Sequence, residues 1–229
     1  MTRQDGRPRH QQIAADLRAE IMSGDLSGKL PTTQQLMETY AVGSPTVQRA
    51  VQVLKDEHFV EGRRGSGVYA VDRVAIESAP YIPAEGGYAY TLLEVTEVAP
   101  SAEIRNAFGS GDVVLLRRRI MTLHHDPVEL SWSYYPLEIA AGTALAGKKK
   151  IMGGATLLLE SLGLKPARYE ERITARLPTT AELELLELPD DVPVMRKIRV
   201  LFTGDSRPVE VTVMVKGGHR YEEHTNGVI

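Results

Sequence analysis

The chain has 229 residues, 42% hydrophobic and 25% charged, enough to bury one large core or two small ones. It has no cysteine, which excludes disulfides, thiolate metal sites and cysteine nucleophiles and fits a reducing cytoplasm. The net charge of −3 is uneven: residues 1–74 hold 10 Lys and Arg against 9 Asp and Glu, and residues 75–229 hold 17 against 21, so any contact with nucleic acid must come from a local patch.

The N-terminal stretch MTRQDGRPRHQQ is polar and lacks the apolar centre of a signal peptide. No run approaches the ~18 apolar residues of a membrane span, so a soluble cytoplasmic protein without membrane contact is expected. Ile13, Leu17 and Ile21 recur at i, i+4 and i+8, which predicts a helix that Gly24 ends. In LPTTQQLMETYAV, Thr32 and Gln35 have the spacing of a capping box, and Leu36, Met37 and Tyr40 form the expected buried face of a second helix. A third helix is predicted with Ser44 as N-cap, Pro45 at the first helical position, and Val47, Ala50, Val51 and Leu54 as its core stripe. FVEGRRGSGVYAV reads as two short strands around a Gly-containing turn.

Three helices followed by a hairpin is the order of a winged helix-turn-helix, predicted here over residues 1–71. Residues 72–87, with two prolines and two glycines and no period, are expected to be a linker. Residues 88–229 read as a second domain. In it DVVLLRRRIMTLHHDPVELSWSYYP and VPVMRKIRVLFTGDSRPVEVTVMV each form two strands around a turn, at HHDP and at GDS. SAEIRNAF, TLLLESLGL and TTAELELLEL are helical. The fold class expected is α+β, with an antiparallel sheet in the C-terminal domain.

On the third helix, Pro45, Gln48, Arg49 and Gln52 lie opposite the Val47/Val51/Leu54 stripe and Thr46 lies on the flank. Such a face is either solvated or presented to the major groove, where Gln pairs with adenine, Arg with guanine and a Thr methyl with thymine. The turn Arg63-Arg64-Gly65-Ser66-Gly67 adds cations for phosphates and glycines for close approach. It leads into a strand and not a helix, which excludes a dinucleotide-binding loop.

In the second domain Arg117 and Arg119 share a strand face, and Glu129, Ser131 and Ser133 share a face of the next strand. A three-residue turn at His124–Asp126 sets Arg119 opposite Ser131 and Arg117 opposite Ser133. Arginines and hydroxyls beside one carboxylate suit an anionic, hydroxyl-bearing ligand, although a salt-bridged sheet face reads the same way. Thr156 begins a helix, where an anion is also at home. Glu170 and Glu171 point to opposite faces, which disfavours an acid–base pair. His124, His125, His219 and His224 lack metal-ligand spacing, and Lys148–Lys150 reads as a solvated loop. No cofactor, metal or catalytic residue is expected.

HQQIAADLRAEIMSGDL, LPTTQQLMETYAVGSPTVQRAVQVL and FVEGRRGSGVYAV resemble the N-terminal winged-helix domain of the GntR transcription regulators. LLRRRIMTLHHDPVELSWSYYP, GATLLLESLGL and SRPVEVTVMVKGGHRY resemble the effector-binding UTRA domain of the HutC subfamily, a fold similar to chorismate lyase. The resemblance implies a homodimeric repressor on a pseudo-palindromic double-stranded operator, controlled by a small effector such as a sugar phosphate or an organic acid. It implies DNA contacts from Thr33, Gln34, Ser44, Pro45, Thr46, Gln48, Arg49 and the turn Arg63–Gly67. It implies an effector pocket lined by Arg117, Arg119, Glu129, Ser131, Thr156 and Glu210.

The sequence departs from the family pattern where an acidic residue and an arginine give way to Thr33 and Gln34. The start of the third helix reads Gly43, Ser44 and Gln48, and Ser66 replaces a basic wing residue. A different operator or a lower affinity is expected. The other functional classes weighed are a regulator without an effector and a lyase-like enzyme, for which no acid or base is evident.

Overall fold

The computed structural model describes residues 6–71, 74–77, 88–109, 111–189, 192–219 and 221–224. Of the expected linker, 72–73 and 78–87 lie outside the described residues. The chain divides into two compact units, Met1–Ile76 with His219–Glu222, and Glu77–Gly218 with Glu223–Ile229.

In the first unit α1 (Arg9–Ser23) buries Ile13, Ala14, Leu17 and Ile21, and Gly24 ends it at φ 83°, where a side chain would be strained. α2 (Thr33–Tyr40) opens with the capping box read from the sequence: the Thr32 hydroxyl accepts from the Gln35 N–H, and the Gln35 side chain accepts from the Thr32 N–H. Only Leu36 of its expected buried face is fully covered, while Met37 and Tyr40 lie at the core margin.

α3 (Ser44–Asp56) corrects the expected cap. Gly43 is the N-cap, because its carbonyl already accepts from the Thr46 and Val47 N–H groups, so Ser44 and Pro45 are the first two helical residues. Val47, Ala50 and Leu54 are fully buried, and Val51 sits at the edge of the stripe. At the end of α3, Glu57 is held by Arg18 of α1, whose Nε lies 2.8 Å from Oε2 and whose Nη2 lies 2.6 Å from Oε1. β1 (Val60–Arg63) and β2 (Gly67–Ala70) form the predicted hairpin. β3 (Val74–Glu77) falls inside the segment read as linker.

The second unit runs β4 (Tyr88–Val98), α4 (Ala102–Phe108), β5 (Val114–Leu123), β6 (Asp126–Pro136), α5 (Leu137–Ala140), α6 (Gly154–Ser161), β7 (Pro166–Arg176), α7 (Thr180–Leu185), β8 (Val194–Thr203) and β9 (Pro208–Gly217); β10 (Tyr221–His224) follows, and its first two residues belong to the first unit. Six of these strands make one antiparallel sheet in the order β4-β5-β6-β9-β8-β7, and β10 pairs with β3. Strand alternation gives the large sheet two unlike faces. On one, Trp132, Ile198, Val211, Val213 and Val215 pack under α4 and α7. On the other, α5 and α6 cover only one end, where Leu115, Tyr135 and Leu201 meet Ile139 and Leu159.

The β5–β6 turn is shorter than expected. Leu123 pairs with Asp126, so only His124 and His125 turn, at φ 50° and 80°. Such a two-residue turn needs positive φ at both central positions to match the strand twist. A bulge between Met121 and Thr122 absorbs the difference, and the register still places Arg119 opposite Ser131 and Arg117 opposite Ser133. No helix among the described residues is long and apolar enough to cross a membrane.

Leu54 is 0% exposed at the centre of the first unit's core. Leu54→Ala is expected to lower the unfolding free energy of that unit by about 2–5 kcal/mol in a urea titration.

Candidate functional site

Two surfaces carry the chemistry. On the first unit α3 is held by its buried stripe and exposes Pro45, Gln48, Arg49 and Gln52, with Ser44 and Thr46 half-buried on the flank. Gln52 is engaged along the helix, its Nε2 donating to Asp56 at 2.6 Å. Thr33 and Gln34 are exposed at the start of α2, and Gln34 reaches Glu38 one turn on at 3.3 Å.

The hairpin tip is exposed from Arg63 to Gly67. Arg63 is not simply an open cation: its Nε bonds Glu61 at 2.9 Å and its guanidinium lies 4.3 Å over the Tyr69 ring. The Ser66 and Tyr69 hydroxyls bond each other at 2.5 Å, so the tip is braced from within. Arg64 sits in the turn itself, and Gly65 at φ 73° takes the conformation a side chain would oppose. The elements thus set Gln48 and Arg49 on a rigid helix and Arg64 on a braced tip.

The second surface is the polar face of the large sheet. Arg117, Ser133, Thr212, Arg199 and Glu171 lie in one cross-strand row, and Arg119, Ser131, Met214, Lys197 and Ile173 in the next. Arg117, Glu129, Lys197, Arg199, Glu210 and Lys216 are all buried. Burying an ion costs several kcal/mol unless partners replace its water, so the pairing decides the chemistry. Lys216 meets Glu129 at 3.2 Å, Arg199 meets Glu171 at 2.5 Å, and Lys197 lies between Glu171 and Glu223.

Arg117 and Arg119 have no carboxylate within ion-pair distance among the described residues. The fork of Arg117 donates to the carbonyls of Ala144, Leu145, Gly147 and Lys149. It ties down the loop that runs into the lysines Lys148–Lys150, and burial, with Arg119 beside it, pulls its pKa below the usual arginine value.

Arg119 donates from Nη2 to the Ser133 hydroxyl at 2.6 Å. Ser133 and Thr212 share a bond of 2.8 Å, and Thr212 donates to Glu210 at 2.7 Å. The proton order follows: Thr212 gives its hydrogen to Glu210, so it must accept from Ser133, which in turn accepts from Arg119. This relay crosses three strands and holds the Glu210 carboxylate at the end opposite the arginine.

Beside the relay, Arg119 Nε is buried without a hydrogen-bond partner among the described residues, and the Tyr135 hydroxyl lies against Ser133 and Glu210. Tyr135 is fully buried, and burial first, then the Glu210 charge, raises its pKa. A buried donor of this kind is rare in folded proteins.

The predicted residues Arg117, Arg119, Glu129, Ser131 and Glu210 thus share one face, with Ser131 at 2% exposure in the row of Arg119. Thr156, third residue of α6, is half-buried, and its helix packs through Leu159 on the same face at the Tyr135 end. Tyr135, Thr212, Lys197, Lys216 and the 144–149 carbonyls are not among the site residues expected from the sequence. The alternation of β8 and β9 could have found the two lysines and Thr212; the carbonyl contacts have no local signal. In the first unit His219 is buried with its ring 6.2 Å from Phe59, as a structural histidine would be, and the His224 side chain lies outside the described residues.

Comparison with known proteins follows these two surfaces. Residues 9–70 match the family described as bacterial regulatory proteins, gntR family, and residues 85–222 match the UTRA domain. The HTH-type transcriptional regulator Rv0792c of Mycobacterium tuberculosis is 26% identical over 234 residues, covering 94% of this chain and 84% of that protein. The probable transcriptional regulator PhnF of Escherichia coli is 26% identical over 226 residues, covering 90% and 89%. The crystal structure of PhnF from Mycobacterium smegmatis superposes with a TM-score of 0.61 at 19% identity, covering 94% of this chain and all of the other, and shares the fold. These relatives are regulators and not enzymes.

Arg117→Lys keeps the charge but not the fork. It is expected to raise amide hydrogen exchange across residues 144–149 while leaving exchange in β8 and β9 unchanged.

Proposed function

The chain belongs to the UTRA-domain family and is a transcriptional regulator of the GntR/UTRA type, with a DNA-binding domain ahead of an effector-binding domain, and on that premise we propose that it is a cytoplasmic homodimeric repressor of the HutC subfamily whose hold on its operator is set by a small anion. The winged domain is taken as 1–71 and the effector and dimerisation domain as 88–229, joined through 72–87. Two protomers would present two α3 helices to successive major grooves of a pseudo-palindromic site. Gln48 and Arg49 read bases with Ser44, Pro45 and Thr46 at the flank, Thr33 and Gln34 lie against the backbone, and Arg63–Gly67 meets phosphates.

One observation carries the anionic effector. On a face where Glu129 and Glu171 neutralise three cations, Arg117 and Arg119 have only neutral partners, and Arg119 Nε offers a buried donor. A carboxylate or phosphate ester beside Arg119, with hydroxyls toward Ser131, Thr156 and Glu210, satisfies that donor. Sugar phosphates and organic acids both fit. Control of DNA binding then requires the anion to bind the DNA-competent and DNA-incompetent states with different affinity.

Thermal melting against a panel of sugar phosphates, organic acids and inorganic phosphate tests the ligand. A true effector at 100 times its Kd is expected to add about 2.7 kcal/mol to stability, and Arg119→Met to abolish the shift. A shift that survives in Arg119→Met removes the site from this face. For the DNA surface, selection of duplexes from a random pool is expected to recover a two-fold-related sequence. Arg49→Ala should relax one base position by about 1–3 kcal/mol of discrimination; an unaltered preference would exclude Arg49 from base reading.

A further inference from the structure

The sequence departures leave the winged domain short of phosphate-binding charge, and the structure shows a cation that the hairpin reading missed. β2 is flanked on both sides. Besides β1, it bonds the segment before α2: the Leu30 N–H donates to the Val68 carbonyl at 2.8 Å and the Ala70 N–H to the Gly28 carbonyl at 2.7 Å. Lys29 forms a bridge with Tyr69, so the wing is three strands wide and Lys29 stands on its third edge.

Register fixes which face Lys29 occupies. Glu61 pairs with Tyr69 and Arg63 with Gly67, so Glu61, Arg63, Tyr69 and Lys29 share one side, while Val60, Val68 and Leu30 turn to the core. On that side Glu61 is engaged by Arg63, and Arg63 is stacked on Tyr69. Lys29 is exposed and, among the described residues, has no carboxylate within ion-pair distance.

Its stem is supported as well. A Cβ placed on Gly67 would lie 2.8 Å from Lys29 Cε and 3.6 Å from Nζ, so the lysine crosses the glycine that follows the tip. Gly67 also has φ 122°. The absence of a side chain there therefore serves both the turn and the passage of Lys29. An exposed lysine ordinarily loses much rotamer freedom on binding an anion, and one laid against a sheet loses less. Among the described cations of this unit, Arg18 and Arg63 have carboxylate partners, whereas Lys29, Arg49, Lys55 and Arg64 have none.

We infer that Lys29, supplied by the α1–α2 connection, is a phosphate-binding residue of the wing that acts beside Arg64 on the DNA backbone. It replaces in part the wing charge absent at Ser66, and it makes the wing a composite of two chain segments. The inference rests on the DNA-binding reading above, which fixes the ligand as duplex DNA.

The test uses the full chain and a duplex selected by the wild-type protein. Binding constants of wild type, Lys29→Gln, Lys29→Arg and Arg64→Gln are measured from low to moderate salt. Each lost phosphate contact removes about 0.9 from the slope of log affinity against log salt. Lys29→Gln is expected to reduce the slope by about one such step per bound wing, to keep the same base preference on reselection, and to melt at the wild-type temperature. Lys29→Arg is expected to restore the slope. An unchanged slope in Lys29→Gln overturns the inference, as does a changed base preference, which would make Lys29 a base reader. Failure of the wild type itself to retain any duplex would overturn the DNA-binding reading, and this inference with it.

Discussion

Charge inside a sheet must be answered by charge, by dipoles or by a ligand, and the second unit is arranged around that constraint. Its large sheet has one face of ordinary apolar packing under α4 and α7 and one face that buries six charged side chains. Each buried ion carries a desolvation cost of several kcal/mol, so partners are obligatory. Strands β6 to β7 use carboxylate–cation pairs, with Glu129 on Lys216 and Glu171 on Lys197 and Arg199. The β5 arginines use carbonyls and hydroxyls instead. That difference separates a half of the face whose charges are paired with one another from a half whose arginines have only neutral partners.

The same reasoning distinguishes the two arginines, which sequence treats alike. Arg117 is surrounded by four carbonyls of one loop, so its positive charge is solvated by backbone and its role is to position that loop. Arg119 has one hydroxyl and an unanswered Nε, and it begins the relay that ends on Glu210. Hydrogen bonds thus link Arg119 to Ser133, Thr212 and Glu210 across three strands. In the first unit the division is between cations held by carboxylates, such as Arg18 on Glu57, and those left facing outward.

Much of this was legible in the sequence because it is local or periodic. The α1 and α3 stripes and the Thr32/Gln35 capping box follow from spacing alone, whereas the β5–β6 pairing matches the expected one only because the bulge offsets the shorter turn. The cap of α3 was misplaced by one residue, since serine is a good cap and nothing local says that the Gly43 carbonyl begins the ladder. β3 was hidden because its partner, β10, is more than 140 positions away in the chain. The Arg117 carbonyl nest and the Lys29–Tyr69 bridge were hidden for the same reason, as contacts between residues about 30 and 40 apart that no window of sequence joins.

The His124–His125 turn has a consequence for how this lineage can vary. The turn is one residue shorter than a simple reading implies, and Val128 is the extra residue that restores the register between Met121 and Glu129. The short turn without the bulge would bring Leu130 to face Arg119, and the bulge with a three-residue turn would bring Trp132 there; either slip turns the hydroxyls of Ser131 and Ser133 to the other side of the sheet. Insertion in the turn and loss of the bulge are thus paired events. Homologues with a longer turn should also lack the bulge, so that the hairpin keeps its length.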